Sequence, residues 1–334
     1  MKWKIQVTMC VVAGFFIVSF LYGCMKKATV EVVKPGYQLH PRDKWYCAAV
    51  NGKGNIWVGG DGGRIVHSGD NGKIWEMQNS STPNTIYGIS MWSTGDAKTA
   101  TGVAVGRFGT IVTTDNGGQT WTPQKSGTES TLYDCSFVSN TSGWAVGEMG
   151  TVLHTEDGGK TWVAQSSGED LHFNGVFFLD PLHGWVAAEY GSLFRTEDGG
   201  QNWEKNQVSE LSFYDIYFND VSNGWLVGED GQVFHSIDGG KTWTAQKSGV
   251  EGSHLISTVF RGNDGWAVGL NGTLITTKNG GETWEREQLP VPHFVWLGKV
   301  VTAPGSEDGM VIVGNAGIVL EHGASGWANA FTAS

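Results

Sequence analysis

Asp70, Asn116, Asp157, Asp198, Asp238 and Asn279 occupy one position in six copies of an eight-residue motif. The copies close on Trp75, Trp121, Trp162, Trp203, Trp243 and Trp284. A carboxylate repeated at such spacing could act as a general acid or base, or ligate a metal. The amides at 116 and 279 argue against both, because an amide accepts hydrogen bonds but does not titrate or attack. The position therefore reads as structural. Its side-chain oxygen accepts backbone N–H groups across its own turn, glycines let the chain fold back, and the indole covers the turn.

A second set of groups could do chemistry. The residue after Val-Gly, or its equivalent, is Arg107, Glu148, Glu189, Glu229, Leu270 and Asn315 in six successive repeats. Asp61 holds a similar place in the first repeat, and Asp230 follows Glu229. Three carboxylates at one turn of three neighbouring units, with Arg107 beside them, form a candidate acidic crown. It would suit a cationic partner surface or a loosely held divalent ion. The plainer alternative is a set of solvated, charged hairpin tips copied along with the repeat. His172 and His254 fall in loops on the same side, and nothing pairs them with a nucleophile. His67, His154 and His235 recur at one third-strand position, which points to packing. There is no Cys-x-x-Cys-His run and no paired Cys/His zinc spacing, so neither cofactor nor metal is expected.

The elements that position these groups follow from the spacing. The closing Trp residues fall at 75, 121, 162, 203, 243 and 284, with a worn copy at 327, giving intervals of 46, 41, 41, 40, 41 and 43. A period near forty means one supersecondary unit built repeatedly. In the unit from Leu132 to Gln165, short alternating apolar segments are separated by glycine-containing turns, predicting strands at Leu132–Val138, Trp144–Gly147, Thr151–His154 and Lys160–Gln165. Nothing after the leader has helical periodicity. The expectation is an all-β, seven-bladed propeller of four-stranded antiparallel blades occupying residues 41–334, with six blades plus a cap as the alternative. The insertion Ser93–Gly102 explains the long second interval, and Thr29–Val33 alternates enough to be an added edge strand.

Residues 1–23 read as an export signal: Lys2 and Lys4, then a nearly apolar run from Val11 to Phe20, then Leu21-Tyr22-Gly23 before Cys24. The ending resembles a bacterial lipobox, which implies an acylated Cys24 followed by a tether over 24–40. The residues after Cys24 favour the outer membrane. The chain has 334 residues and a net charge of −11, and it becomes more acidic once the two leader lysines are removed. Such a surface disfavours nucleic acid and anionic headgroups. Cys47 and Cys135 sit in non-adjacent units and are expected to be buried free thiols.

The octapeptide resembles the Asp-box, or BNR repeat. The wider pattern is Gly143-Trp144-Ala145-Val146-Gly147, then Gly150-Thr151-Val152, then Thr155-x-Asp157-Gly158-Gly159-x-Thr161-Trp162. This is similar to the photosystem II stability/assembly factor family. The resemblance implies a non-catalytic propeller that binds a protein partner, a membrane or exported subunit. The family's arginine-rich patch has no counterpart here: Arg42, Arg64, Arg107, Arg195, Arg261 and Arg286 are scattered over five repeats. Asp-box propellers also include sialidases and other glycosidases. Their Arg-Ile-Pro motif is missing, with Arg64-Ile65-Val66 the nearest match, and Arg261 is expected on the opposite face. The expected function is therefore a membrane-anchored, monomeric protein-binding scaffold. A carbohydrate-binding or glycoside-cleaving propeller is the runner-up, which aromatic residues at the channel mouth, around Tyr190 and Phe108, would favour.

Overall fold

Each repeat folds as a four-stranded antiparallel sheet with its strands in chain order, and there are seven such sheets. The computed structural model describes residues 36–51, 54–92, 97–302, 309–323 and 326–330. The leader, Cys24 and Thr29–Val33 lie outside them. The blades span residues 45–78, 86–124, 132–166, 173–207, 213–246, 255–287 and 297–329. The first strand of every blade touches the first strand of both neighbours, so seven inner strands line a central channel. Second strands such as Gly143–Gly147 and Gly224–Gly228 are buried at every residue, because sheets cover both of their faces. Among the described residues the only helical elements are three-residue 3-10 turns, and no helix is long and apolar enough to cross a membrane.

The motif works as a hydrogen-bonded knot. Asp157 Oδ1 accepts the Thr161 N–H at 2.9 Å, while Thr155 Oγ1 accepts the Gly159 N–H at 3.0 Å. Gly159 has φ +84°, and a Cβ there would press on Val103 at 2.8 Å. At the amide copies the backbone bond survives and the side-chain bond reverses. Asn116 Oδ1 accepts the Thr120 N–H, and its Nδ2 donates to Thr120 Oγ1. The sequence pattern places an outer strand at 160–165, but it begins at Val163, because this knot holds residues 160–162 in the turn.

Four blades are held to the next by a Trp near the start of the second strand, at Trp57, Trp144, Trp185 and Trp225. Trp144 stacks between His154 of its own blade, with centroids 4.6 Å apart, and Phe178 of the next blade, at 3.5 Å. Its Nε1 donates to Gly199 O in the next blade's motif at 3.1 Å. Trp225 repeats the arrangement with His235, Phe260 and Gly280 O. Trp57 stacks on His67 and donates to Gly117 O. The recurring histidines are thus packing groups against indole.

Ring closure needs no shared strand. All four strands of the last blade come from the C-terminal repeat. It packs on the first blade through Val311, Val313 and Val319, in a cluster that Leu39 from the segment before the first blade joins, and Gly317 N–H donates to Asp43 O at 2.9 Å. Cys47 and Cys135 are buried and unpaired.

Candidate partner-binding face and channel mouth

The face that gathers the second-to-third-strand turns is built by one device used seven times. The first turn residue donates its N–H to the carbonyl leading into its own inner strand. The donors are Asp61, Arg107, Glu148, Glu189, Glu229, Leu270 and Asn315. At three turns the side chain returns the bond. Glu148 Oε2 accepts the Thr131 N–H at 2.8 Å, Glu189 Oε2 that of His172 at 3.1 Å, and Asn315 Oδ1 that of Trp296 at 2.9 Å. The Thr131 N–H holds the Glu148 carboxyl below the usual range.

The crown positions are therefore brought to one face, but as staples within blades rather than as one converging cluster. Glu229 accepts the Tyr214 hydroxyl at 3.2 Å. Asp61 accepts Thr85 Oγ1 and lies 3.7 Å from Lys44 Nζ. Asp230 is exposed, takes the Gly252 N–H at 2.6 Å, and gives its own N–H to His254 Nδ1. His172 Nδ1 lies 3.4 Å from Glu189. Among the described residues no three His, Cys, Asp or Glu side chains are grouped to hold a metal ion.

The second turn residue is left-handed. At Phe108, Met149 and Tyr190 the φ angles are +56°, +57° and +53°. A non-glycine residue there carries local strain. All three are large and project into solvent, 59%, 67% and 65% exposed. They stand on three consecutive blades, with the Arg107 guanidinium 4.6 Å from the Phe108 ring centroid. Arg261 ends an inner strand and pairs with Asp264, which places it at the other face as expected.

The inner strands add a feature that the spacing did not reveal. In all seven blades the register between first and second strands slips by one residue at the start of the inner strand. These bulges turn Tyr46, Tyr87, Tyr133 and Tyr214 into the channel mouth. Trp296 stacks on Tyr46 at 5.1 Å, Tyr46 meets Tyr87 edge-on at 5.1 Å, and Tyr87 meets Tyr133 at 5.9 Å. Tyr133 then approaches His172, and Tyr214 approaches His254. The result is an aromatic girdle crossing blade boundaries. Burial and the neighbouring Glu229 carboxylate push the Tyr214 hydroxyl up to about 12, so it remains a donor. The available signal was an aromatic after the first large apolar residue in Trp45-Tyr46, Ile86-Tyr87, Leu132-Tyr133 and Phe213-Tyr214.

The girdle has a charged floor. Lys299 of the last blade reaches across the channel to Asp215, 3.3 Å away, and to Asp134, 3.9 Å away. Asp215 also accepts Ser257 Oγ and the Thr258 N–H of the next blade, and Asp134 accepts the Val176 N–H. Burial lowers the Lys299 ammonium, but the two carboxylates more than offset this and raise it. Burial pushes the Asp134 carboxyl up, against the pull of Lys299.

Comparison with known proteins places this geometry. No curated protein matches the chain. A structure described as "YCF48 bound to D1 peptide" superposes with a TM-score of 0.71 at 18% identity, covering 87% of this chain and 96% of that one. YCF48 from Cyanidioschyzon merolae gives 0.68 at 17%, covering 86% and 98%. A GH74 xyloglucanase from Xanthomonas campestris gives 0.68 at 12%, covering 85% of this chain and 53% of the enzyme. At these identities the superpositions establish the fold alone. The family model described as Photosynthesis system II assembly factor YCF48 matches residues 82–166, 113–211 and 207–328. With that match over most of the blades, the chain belongs to the photosynthesis system II assembly factor YCF48 family.

Proposed function

We propose that this protein is a non-catalytic assembly or stability factor that holds a segment of a client protein on its turn face. The observation that carries the reading is the row Phe108, Met149 and Tyr190. Each is a large apolar side chain, exposed, at a left-handed position on consecutive blades. A strained backbone that displays apolar surface to solvent fits a docking surface, where the partner removes that surface from water. Asp61, Glu148, Glu189, Glu229 and Asp230 around it favour a client with basic side chains, and Arg107 would take an acidic one at the edge. Family membership supports the same role, as does the peptide bound to the related propeller.

In this reading the chain is exported and acylated at Cys24, so that the ring stands on a short tether at a bacterial membrane, the outer membrane by preference. The client is then a membrane or exported subunit, and the ring works as a monomer.

The test is in-cell chemical crosslinking and pull-down of the full lipidated chain, beside a Phe108→Ser, Met149→Ser, Tyr190→Ser variant. Capture of one membrane or exported protein, lost in the variant, supports docking. Undiminished capture by the variant removes this face from the interface. A second reading, carbohydrate binding, draws on the aromatic channel mouth. It predicts retention of the protein on a glycan array with no protein crosslink.

A further inference from the structure

The channel mouth is a funnel of about 300 Å³ that neither the turn staples nor the tip residues fill. We infer that it is a receptor for a single guanidinium or alkylammonium group, brought there as a basic side chain of the docked client.

Its walls are the rings of Tyr46, Tyr87, Tyr133, Tyr214 and Trp296. A cation over an aromatic face is attracted by the ring quadrupole, and a planar guanidinium stacks there as well. The hydroxyls of Tyr133 and Tyr214 donate to Glu148 and Glu229, which places electron density on the rings and strengthens that attraction. The floor adds charge of the same preference. Asp134 and Asp215 share one ammonium, that of Lys299, so with both ionised the floor carries a surplus negative charge. Of the turn groups, Asp61, Glu148, Glu189 and Glu229 are acidic and Lys44 is drawn to Asp61, while the one cation that acts on these rings, Arg107 beside Tyr87, is held over the Phe108 ring. An anion entering the funnel would meet carboxylates on two levels. A neutral sugar could stack on the rings but would leave the surplus charge unanswered. A cation satisfies walls and floor together. Burial already pushes the Asp134 carboxyl up, so an arriving cation also favours its ionised form.

That the cation comes from a client rests on the docking reading above; the pocket's preference for a cation does not. The experiment separates the two. The full chain, solubilised in detergent, is titrated calorimetrically with acetyl-Gly-Gly-Arg-Gly-Gly-amide, the same peptide with citrulline for arginine, spermidine, and cellotetraose. The arginine peptide should bind, with the isosteric but neutral citrulline peptide about tenfold weaker. Trp296→Leu and Tyr46→Leu should each weaken arginine-peptide binding about fivefold to thirtyfold, with melting temperature confirming that the variants fold. Spermidine binding more tightly than the peptide would keep the cation site but overturn the client as its source. Equal binding of the citrulline peptide, or binding of cellotetraose lost in the same two variants, would overturn the proposal. So would no binding of any probe at millimolar concentrations. A positive titration beside unchanged crosslinking in the triple-serine variant would sink the docking reading alone.

Discussion

Trp144 Nε1 donates a 3.1 Å hydrogen bond to the carbonyl of Gly199, which lies in the Asp-box of the following blade. The same bond joins Trp185 to Gly239 and Trp225 to Gly280, at 2.9 Å each. In the second, fourth, fifth and sixth blades, the turn that the blade folds around is therefore also the acceptor by which its predecessor holds it. This links a local motif to the stability of the whole ring.

Replacing Trp144 separates the two parts of that link. Trp144→Phe keeps the stack on Phe178 and loses the N–H, while Gly199 O still accepts from Gln165 Nε2, so the loss should be about 1 kcal/mol. Trp144→Ala also opens a cavity and should lose about 3–5 kcal/mol. Guanidinium denaturation gives both values. Equal losses would mean that the stack contributes nothing.

Lys299 is the strut of the channel. Lys299→Met leaves Asp134 and Asp215 partly buried and facing one another, and should destabilise by up to about 3–5 kcal/mol at neutral pH. Burial pushes the Asp134 carboxyl up, and removing the opposing Lys299 ammonium leaves its folded pKa above its unfolded one. Stability should then be regained as pH falls and lost as pH rises through those values. Adding Asp134→Asn and Asp215→Asn should restore much of the loss at neutral pH. A triple variant no more stable than Lys299→Met would refute the charge argument.

The indole-stacked histidines give a second pH dependence. Burial lowers His67, His154 and His235 below their ordinary value near 6.5. The unfolded chain then binds protons at these sites before the folded one does, so their contribution is intact above 6.5 and declines as pH falls below it. Melting temperature should drop from pH 7.5 to pH 5.5, and a His154→Gln, His235→Gln variant should show a shallower drop. An unchanged slope would assign the dependence to other groups.

The turn staples distinguish charge from hydrogen bonding. Glu148→Gln keeps an acceptor for the Thr131 N–H and should alter stability by less than about 0.5 kcal/mol. Glu148→Lys removes that acceptor at a buried N–H and should cost about 1–3 kcal/mol. Thr131 amide exchange should quicken in the Lys variant only. Client-binding experiments should therefore use the Gln variant, because loss of binding with Lys would mix repulsion with a broken staple.

Much of the fold was legible in the residues. The Asp-box at Asp157 forms bonds that span four residues, and such bonds depend on local sequence alone. Seven copies at a steady interval set the number of blades. The crown at Glu148, Glu189 and Glu229 was legible as a shared position, but not its duty. A carboxylate at a hairpin tip looks the same in sequence whether it faces water or staples a backbone N–H. The girdle was hidden for another reason. Two-residue alternation predicts which side of a sheet Tyr133 occupies, and a bulge before Asp134 changes that register.

The sequence by itself determined the repeated sheet, its knots and the all-β class, because turn chemistry and strand alternation act over a few residues. The tertiary structure alone decided that Lys299 would meet Asp134 and Asp215, that the tyrosines would form one funnel, and that the ring would close by packing of Val311, Val313 and Val319 against the first blade. Those contacts join residues from distant repeats. They exist only once seven twisted sheets have closed on a common axis.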